Sequence, residues 1–192
     1  MATVHEVIDD NLRAFIEAQP LFFVATAPLA ADGHVNVSPK GTIGSLAVLG
    51  PDRLAYLDLT GSGAESLAHL RENGRITLMW AAFDGPPNIV RVHGVGEVVF
   101  RDDPRWPEYV GLFPAASDPG PRAIVLVSAT RVSDSCGFAV PYMEYKGERR
   151  LLAEYFGRRD EEFHVDYVAR KNAVSIDGLP AVPVETLRGD SG

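Results

Sequence analysis

A single cysteine, Cys136, occurs in the 192 residues, so no internal disulfide can form and the chain must be held by its core. A reducing, cytoplasmic compartment is the expectation that follows, with Cys136 itself read as a small buried residue. No apolar stretch approaches the roughly 18 residues that a membrane-spanning helix needs. The first turns carry Asp9, Asp10 and Glu17, unlike a secretory leader. No Lys/Arg-rich run is present and the formal net charge is −8, which argues against a nucleic-acid backbone or an anionic membrane as partner. The five histidines (His5, His34, His69, His93, His164) lack metal-ligand spacing, so no metal site is expected. The phosphate fingerprints GxxxxGK[ST] and GxGxxG are missing, and Gly44-Ser45 does not build a GxSxG nucleophile elbow.

What is present is ordinary globular material: 46% hydrophobic and 23% charged residues, enough for one domain with a sizeable core. Thr3 and Glu6 have capping-box spacing, and Val4, Val7, Ile8, Leu12, Phe15 and Ile16 recur at helical intervals. An amphipathic first helix is predicted, ending before Pro20. Leu21–Ala27 reads as an apolar strand, turned at Ala31-Asp32-Gly33 into a second strand over His34–Ser38. Its alternation puts Val35 and Val37 inward, Asn36 and Ser38 on the other face, and Pro39-Lys40-Gly41 breaks it.

Arg53–Leu59 alternates again, with Leu54, Tyr56 and Asp58 on one face and Ala55, Leu57 and Leu59 on the other. Thr60-Gly61-Ser62-Gly63 then opens into a helix that buries Leu67 and Leu70 and stops at Asn73-Gly74. Ser62 and Glu65 have the spacing of its capping box. A Gly/Ser loop feeding a helix presents free amide N–H groups, a place where an anion can settle. Ile76–Phe83 reads as a strand with Trp80 and Phe83 in the core. Ile89–Phe100 is a long strand whose Gly94 and Gly96 signal a bulge or a close approach. Arg91 lies mid-strand among apolar residues, where an unpaired charge is costly, so it needs a partner or an anion. A short helix over Pro104–Val110 precedes the strand Arg122–Arg131. Glu144–Arg170 reads as charged helix, split at Gly157, and the Pro/Gly-rich stretch after Asp177 is expected to be extended or mobile. Short strands with glycine corners and few helices point to a mainly β (α+β) antiparallel barrel rather than a parallel α/β sheet.

The ordered set of an entry helix, FFVATAP, GHVNVSPKG, RLAYLDLTGSGAESLAHLRENGRITLMW and IVRVHGVGEVV resembles the pyridoxamine 5′-phosphate oxidase-like family. The likeness covers roughly residues 5 to 135. It implies a six-stranded antiparallel split β-barrel, the FMN-binding split barrel, over residues 1–140, with 141–192 a C-terminal helical extension of the same domain. It also implies a homodimer, FMN as cofactor and flavin-dependent oxidoreductase chemistry on a small molecule. In such proteins the segment matching Asn36, Val37, Ser38, Pro39 and Lys40 lies along the flavin ring. The strand end matching Tyr56, Asp58 and Thr60 passes beside the ribityl chain, and the loop matching Gly61, Ser62, Gly63 and Ser66 holds the phosphate. The strand bearing Arg91 approaches the ring from another side.

One departure is chemical. The oxidase has two consecutive basic residues where this chain has Glu65 and Ser66, and its C-terminal Arg/His substrate pattern is not evident. Vitamin B6 oxidation is therefore not expected. Three other readings stay open: an F420-binding relative, a haem-binding relative, and a cofactor-free dimeric binding protein.

Overall fold

The computed structural model describes residues 2–187. Its six expected strands are β2 (Leu21–Thr26), β3 (Asn36–Gly41), β5 (Arg53–Leu59), β6 (Arg75–Ala81), β7 (Ile89–Phe100) and β8 (Pro121–Ser135). Two three-residue strands, β1 (Thr3–His5) and β4 (Leu46–Val48), complete the set. The eight strands form one antiparallel sheet in the order β3-β2-β6-β7-β8-β5-β4, with β1 added beside β8. Every pairing is antiparallel, and the sheet curls into a split barrel with helices on its flanks.

The long pair β7–β8 is the spine of the curl. Its register shifts between His93 and Gly94, where a Cβ on Gly94 would collide with the Ser128 carbonyl. Only glycine lets the two backbones close there, so the glycine read as a bulge signal is the bend itself. Gly96 is the second close approach, a Cβ there meeting Leu70 Cδ2 at 2.7 Å.

Inside the curl, Phe22, Val24, Leu54, Tyr56, Leu78, Trp80, Val90, Val92, Val125 and Val127 form the main core. Phe22 stacks on Trp80 and meets Tyr56 edge-on, both with centroids 5.8 Å apart. A second cluster, with Ala55, Leu57, Val99, Phe113, Ile124 and Leu126, lies on the far side of β5 and β8, packed with Trp106, Tyr109 and Val110 of the short helix α3 (Trp106–Val110). Both faces of β5 are thus buried, as its double alternation of apolar residues requires.

Several expectations are corrected. Residues 3–5 are strand rather than helix, because the edge of β8 captures them (Thr3 opposite Asp134). Helix α1 (Asp10–Ala18) accordingly starts later, capped by Asp9, whose Oδ1 accepts from Leu12 N at 2.8 Å. Strand β3 runs through Pro39-Lys40 to Gly41 and carries the opposite face inward: Val35 and Val37 are 71% and 60% exposed while Asn36, Ser38 and Lys40 are half-buried. An edge strand tolerates Pro39 on its unpaired side. Helix α2 (Glu65–Asn73) has Ala64 at its N-cap with no side-chain cap bond, and Ser62 stands in solvent; the αL residue Gly74 does terminate it. Glu144–Arg150 has no regular structure, so helix begins only at α4 (Leu151–Gly157), followed by α5 (Glu161–Lys171) capped by Asp160.

The stretch after Asp177 is packed rather than mobile. Ala181 and Val182 are 0% and 2% exposed and join the main core with Val165, Val168 and Leu187. Its last five residues, 188–192, lie outside the described part. Cys136, expected buried, is exposed just past the end of β8.

Candidate functional site

Most of the residues singled out from the sequence meet at one edge of the barrel, where β3, the end of β5 and the start of α2 converge. Asn36 donates through Nδ2 to Ser66 Oγ at 2.9 Å and to Ser38 Oγ at 3.1 Å. The first of these bonds ties the edge strand to the first turn of α2. Lys40 Nζ donates to Asp58 Oδ1 at 2.6 Å, joining β3 to β5 across the split. Thr60 donates through both its amide and its hydroxyl to Gly120 O, at 2.7 and 2.8 Å, fixing where the 61–63 loop departs. Tyr56 lies below Lys40, its ring centroid 5.9 Å from Nζ and its hydroxyl buried without a partner among the described residues.

The centre of this arrangement is a residue that inspection of the strand patterns overlooked. Arg122, at the head of β8 and 4% exposed, donates from Nε to Asp58 Oδ2 at 2.6 Å and from Nη2 to Gly63 O at 2.8 Å. Two cations therefore flank one carboxylate, leaving this buried cluster one positive charge in excess. Arg122 Nη1 has no partner among the described residues. Burial drives the Asp58 carboxyl upward, but Arg122 and then Lys40 outweigh it and hold the pKa down at about 2. Burial, followed by the Asp58 charge, pushes the Tyr56 phenol well above its usual value, so it stays protonated.

The loop itself has the makings of an anion cradle. The first-turn amides of α2 have no intrahelical acceptor and no side-chain cap serves them. Glu65, however, folds its carboxylate back over Gly63, so the loop already carries a negative charge of the protein's own. A long, half-exposed side chain of this kind can rotate away at little cost.

Three of the other residues are placed differently. Val37 and Pro39 turn outward, leaving only their backbone to face a ligand on β3. Arg91 is on β7, separated from β3 by β6 and β2; its Nη1 donates to Ser135 Oγ at 3.1 Å. It stands outside the cluster. Besides Arg122, the sequence reading missed Asn172, whose Nδ2 donates to Gly61 O at 2.9 Å from the end of α5. The same reasoning that marked Arg91, a charge bordering an apolar strand, would have marked Arg122 in RAIVLV. For Asn172 no signal exists, since its target lies 111 residues away.

Fold and site together define a split-barrel protein with a glycine loop set over a buried cationic cluster at the barrel edge. The chain belongs to the pyridoxamine 5′-phosphate oxidase family, whose characteristic sequence matches residues 8–136. It is 40% identical over 198 residues to the pyridoxamine 5′-phosphate oxidase family protein ustO of Aspergillus flavus, covering 95% of this chain and 78% of that protein. Among solved structures, a histidine-to-alanine variant of HupZ from Group A Streptococcus has a TM-score of 0.54 at 20% identity, covering 67% of this chain and 99% of that one. A candidate 5-nitroimidazole antibiotic resistance protein from Bacteroides thetaiotaomicron has a TM-score of 0.50 at 12% identity, covering 70% of this chain and 86% of that one. These two likenesses concern the fold.

Proposed function

We propose that this protein binds FMN at the β3–β5–α2 edge and works as a flavin-dependent oxidoreductase on a small molecule, as a homodimer in the cytoplasm. The observation that carries the reading is the uncompensated positive charge of Lys40–Asp58–Arg122 behind a loop with unpaired amides. A phosphate bearing up to two negative charges suits that donor set, with the Ser62 and Ser66 hydroxyls beside it. Lys40 and Arg122 together take the place of the two basic residues that Glu65 and Ser66 replace. The backbone of Asn36–Lys40 is available to the ring edge, since among the described residues no strand pairs with the outer side of β3. A bound flavin supplies hydride or electron exchange with substrate; the protein's part is to hold, orient and screen it. The exposed Val35, Val37, Phe138 and Tyr142 are apolar surface that a second copy would cover.

Titration of FMN against the purified protein, read by quenching of flavin fluorescence, tests this. Saturable binding below about 50 μM supports it, an affinity of about 6 kcal/mol; no saturation overturns it. Parallel melts with F420 and haem separate the alternatives, because only a ligand of the folded state raises the melting temperature. Glu65→Lys replaces the overhanging carboxylate by a cation and is expected to tighten FMN by at least roughly tenfold. An unchanged affinity would place the phosphate elsewhere.

A further inference from the structure

The carbonyls of Gly61 and Gly63 are both turned toward side chains behind the loop, Gly61 O accepting from Asn172 and Gly63 O from Arg122. In a planar trans peptide the N–H of the next residue points opposite to the C=O. With no cis peptide in the described chain, the Ser62 and Ala64 amides therefore point away from Asn172 and Arg122. Neither amide has a hydrogen-bond acceptor among the described residues. Two side chains reaching from behind thus orient two peptide planes so that their donors point away from both and stay without an acceptor, like the uncapped first-turn amides of α2.

Asn172 is built for this. It is fully buried, its own amide donates to Val168 O at 2.7 Å, and its carbonyl accepts from Val182 N at 3.0 Å. The segment that follows is locked to α2 as well, Arg71 Nη1 donating to Ala181 O at 2.7 Å. We propose that Asn172 is a positioning residue of the anion site: the C-terminal extension completes the Gly61–Ala64 cradle by holding its amides toward a phosphate group. The identity of the phosphate as that of FMN rests on the function proposed above; the orientation of the amides does not.

Asn172→Leu keeps the approximate size and adds no charge but cannot donate to the Gly61 carbonyl, which frees the peptide to turn. The test compares FMN with riboflavin, which lacks the phosphate. The variant is expected to lose about tenfold in FMN affinity, one hydrogen-bond-sized effect, and to keep riboflavin affinity within about twofold. Equal loss for both ligands, or no loss for FMN, overturns the proposal, since a general structural defect would not distinguish them. If the wild-type protein binds neither flavin, the proposed function fails, and inorganic phosphate decides the inference by itself. Ser62 and Ala64 amide resonances that shift with phosphate in the wild type and not in the variant sustain it; resonances that do not move overturn it. Asn172→Ser, smaller and still polar, repeats the comparison should the leucine variant not fold.

Discussion

Strand β3 is tied down at its two ends by ion pairs of opposite character. Near its C-terminal end, Lys40 meets Asp58 with side chains 20% and 1% exposed, and Arg122 completes a buried cluster. Just before its N-terminal end, His34 Nδ1 lies 2.6 Å from Asp177 Oδ1, but the His34 side chain is 69% exposed. The distances are alike and the surroundings are not. Water screens the His34–Asp177 pair, so it contributes little beyond local order. The Lys40–Asp58–Arg122 cluster is shielded from water, so removing one member leaves a buried charge uncompensated. The lesson is that the short distance does not rank these contacts; burial does.

Asp58→Asn should separate the two ends most sharply. It strands two cations and is expected to cost about 3–5 kcal/mol, read from urea midpoints. A loss no larger than that of Asp177→Asn would mean that burial does not set the strength of these pairs. Acid should give the next largest effect. The folded pKa of Asp58, about 2, lies below its unfolded value, so its stabilisation is present above about pH 4 and is lost as pH falls toward 2. The amount is about 2 kcal/mol, and Asp58→Asn should flatten the urea midpoint across that window.

Arg91→Ala sharpens the contrast from outside the cluster. Arg91 is half-exposed and bonded to Ser135 at the end of β8, so its loss is expected to cost less than about 1 kcal/mol, against several for the buried carboxylate. The smallest effect belongs to Asp177→Asn. The hydrogen bond and charge of Asp177 raise the His34 pKa, so that contribution is present below the unfolded histidine value and fades as pH rises through the folded one. Asp177 itself is held low by His34, so its share is lost only in acid, and the pair is at its strongest between the two ranges. Proton NMR of His34 should show a lower midpoint in Asp177→Asn, and 1 M salt should shrink the difference. A salt-insensitive difference would mean that the pair is more shielded than its exposure indicates.

Much of the frame was legible along the chain. Strands β2, β5, β6, β7 and β8, the stop at Gly74 and the bend at Gly94 each follow from local period or from a residue that alone fits the backbone. The candidate site was legible in its parts, in that Asn36, Ser38, Lys40, Asp58, Thr60 and Ser66 lie at one edge of the barrel. Three things were not. The inward face of β3 was reversed, because its inward neighbours are the polar groups of Ser66 and Asp58 rather than core. Helix α2 lacks the cap that Ser62 and Glu65 spell out, since Glu65 bends over Gly63 instead. The Pro/Gly-rich segment after Asp177 is buried because Arg71 and Asn172 offer it partners.

Residue order by itself determined where the chain runs extended, where it turns and which side chains it could bring to an anion, for those depend on periods of two and 3.6 and on glycine's freedom at a few positions. Only the tertiary structure decided which charges count. Arg122 finds Asp58 across 64 residues and Asn172 finds Gly61 across 111, and at such separations no local pattern records the partner. Closing the barrel edge removes water from Asp58 and turns an ordinary aspartate into the fixed centre of the site.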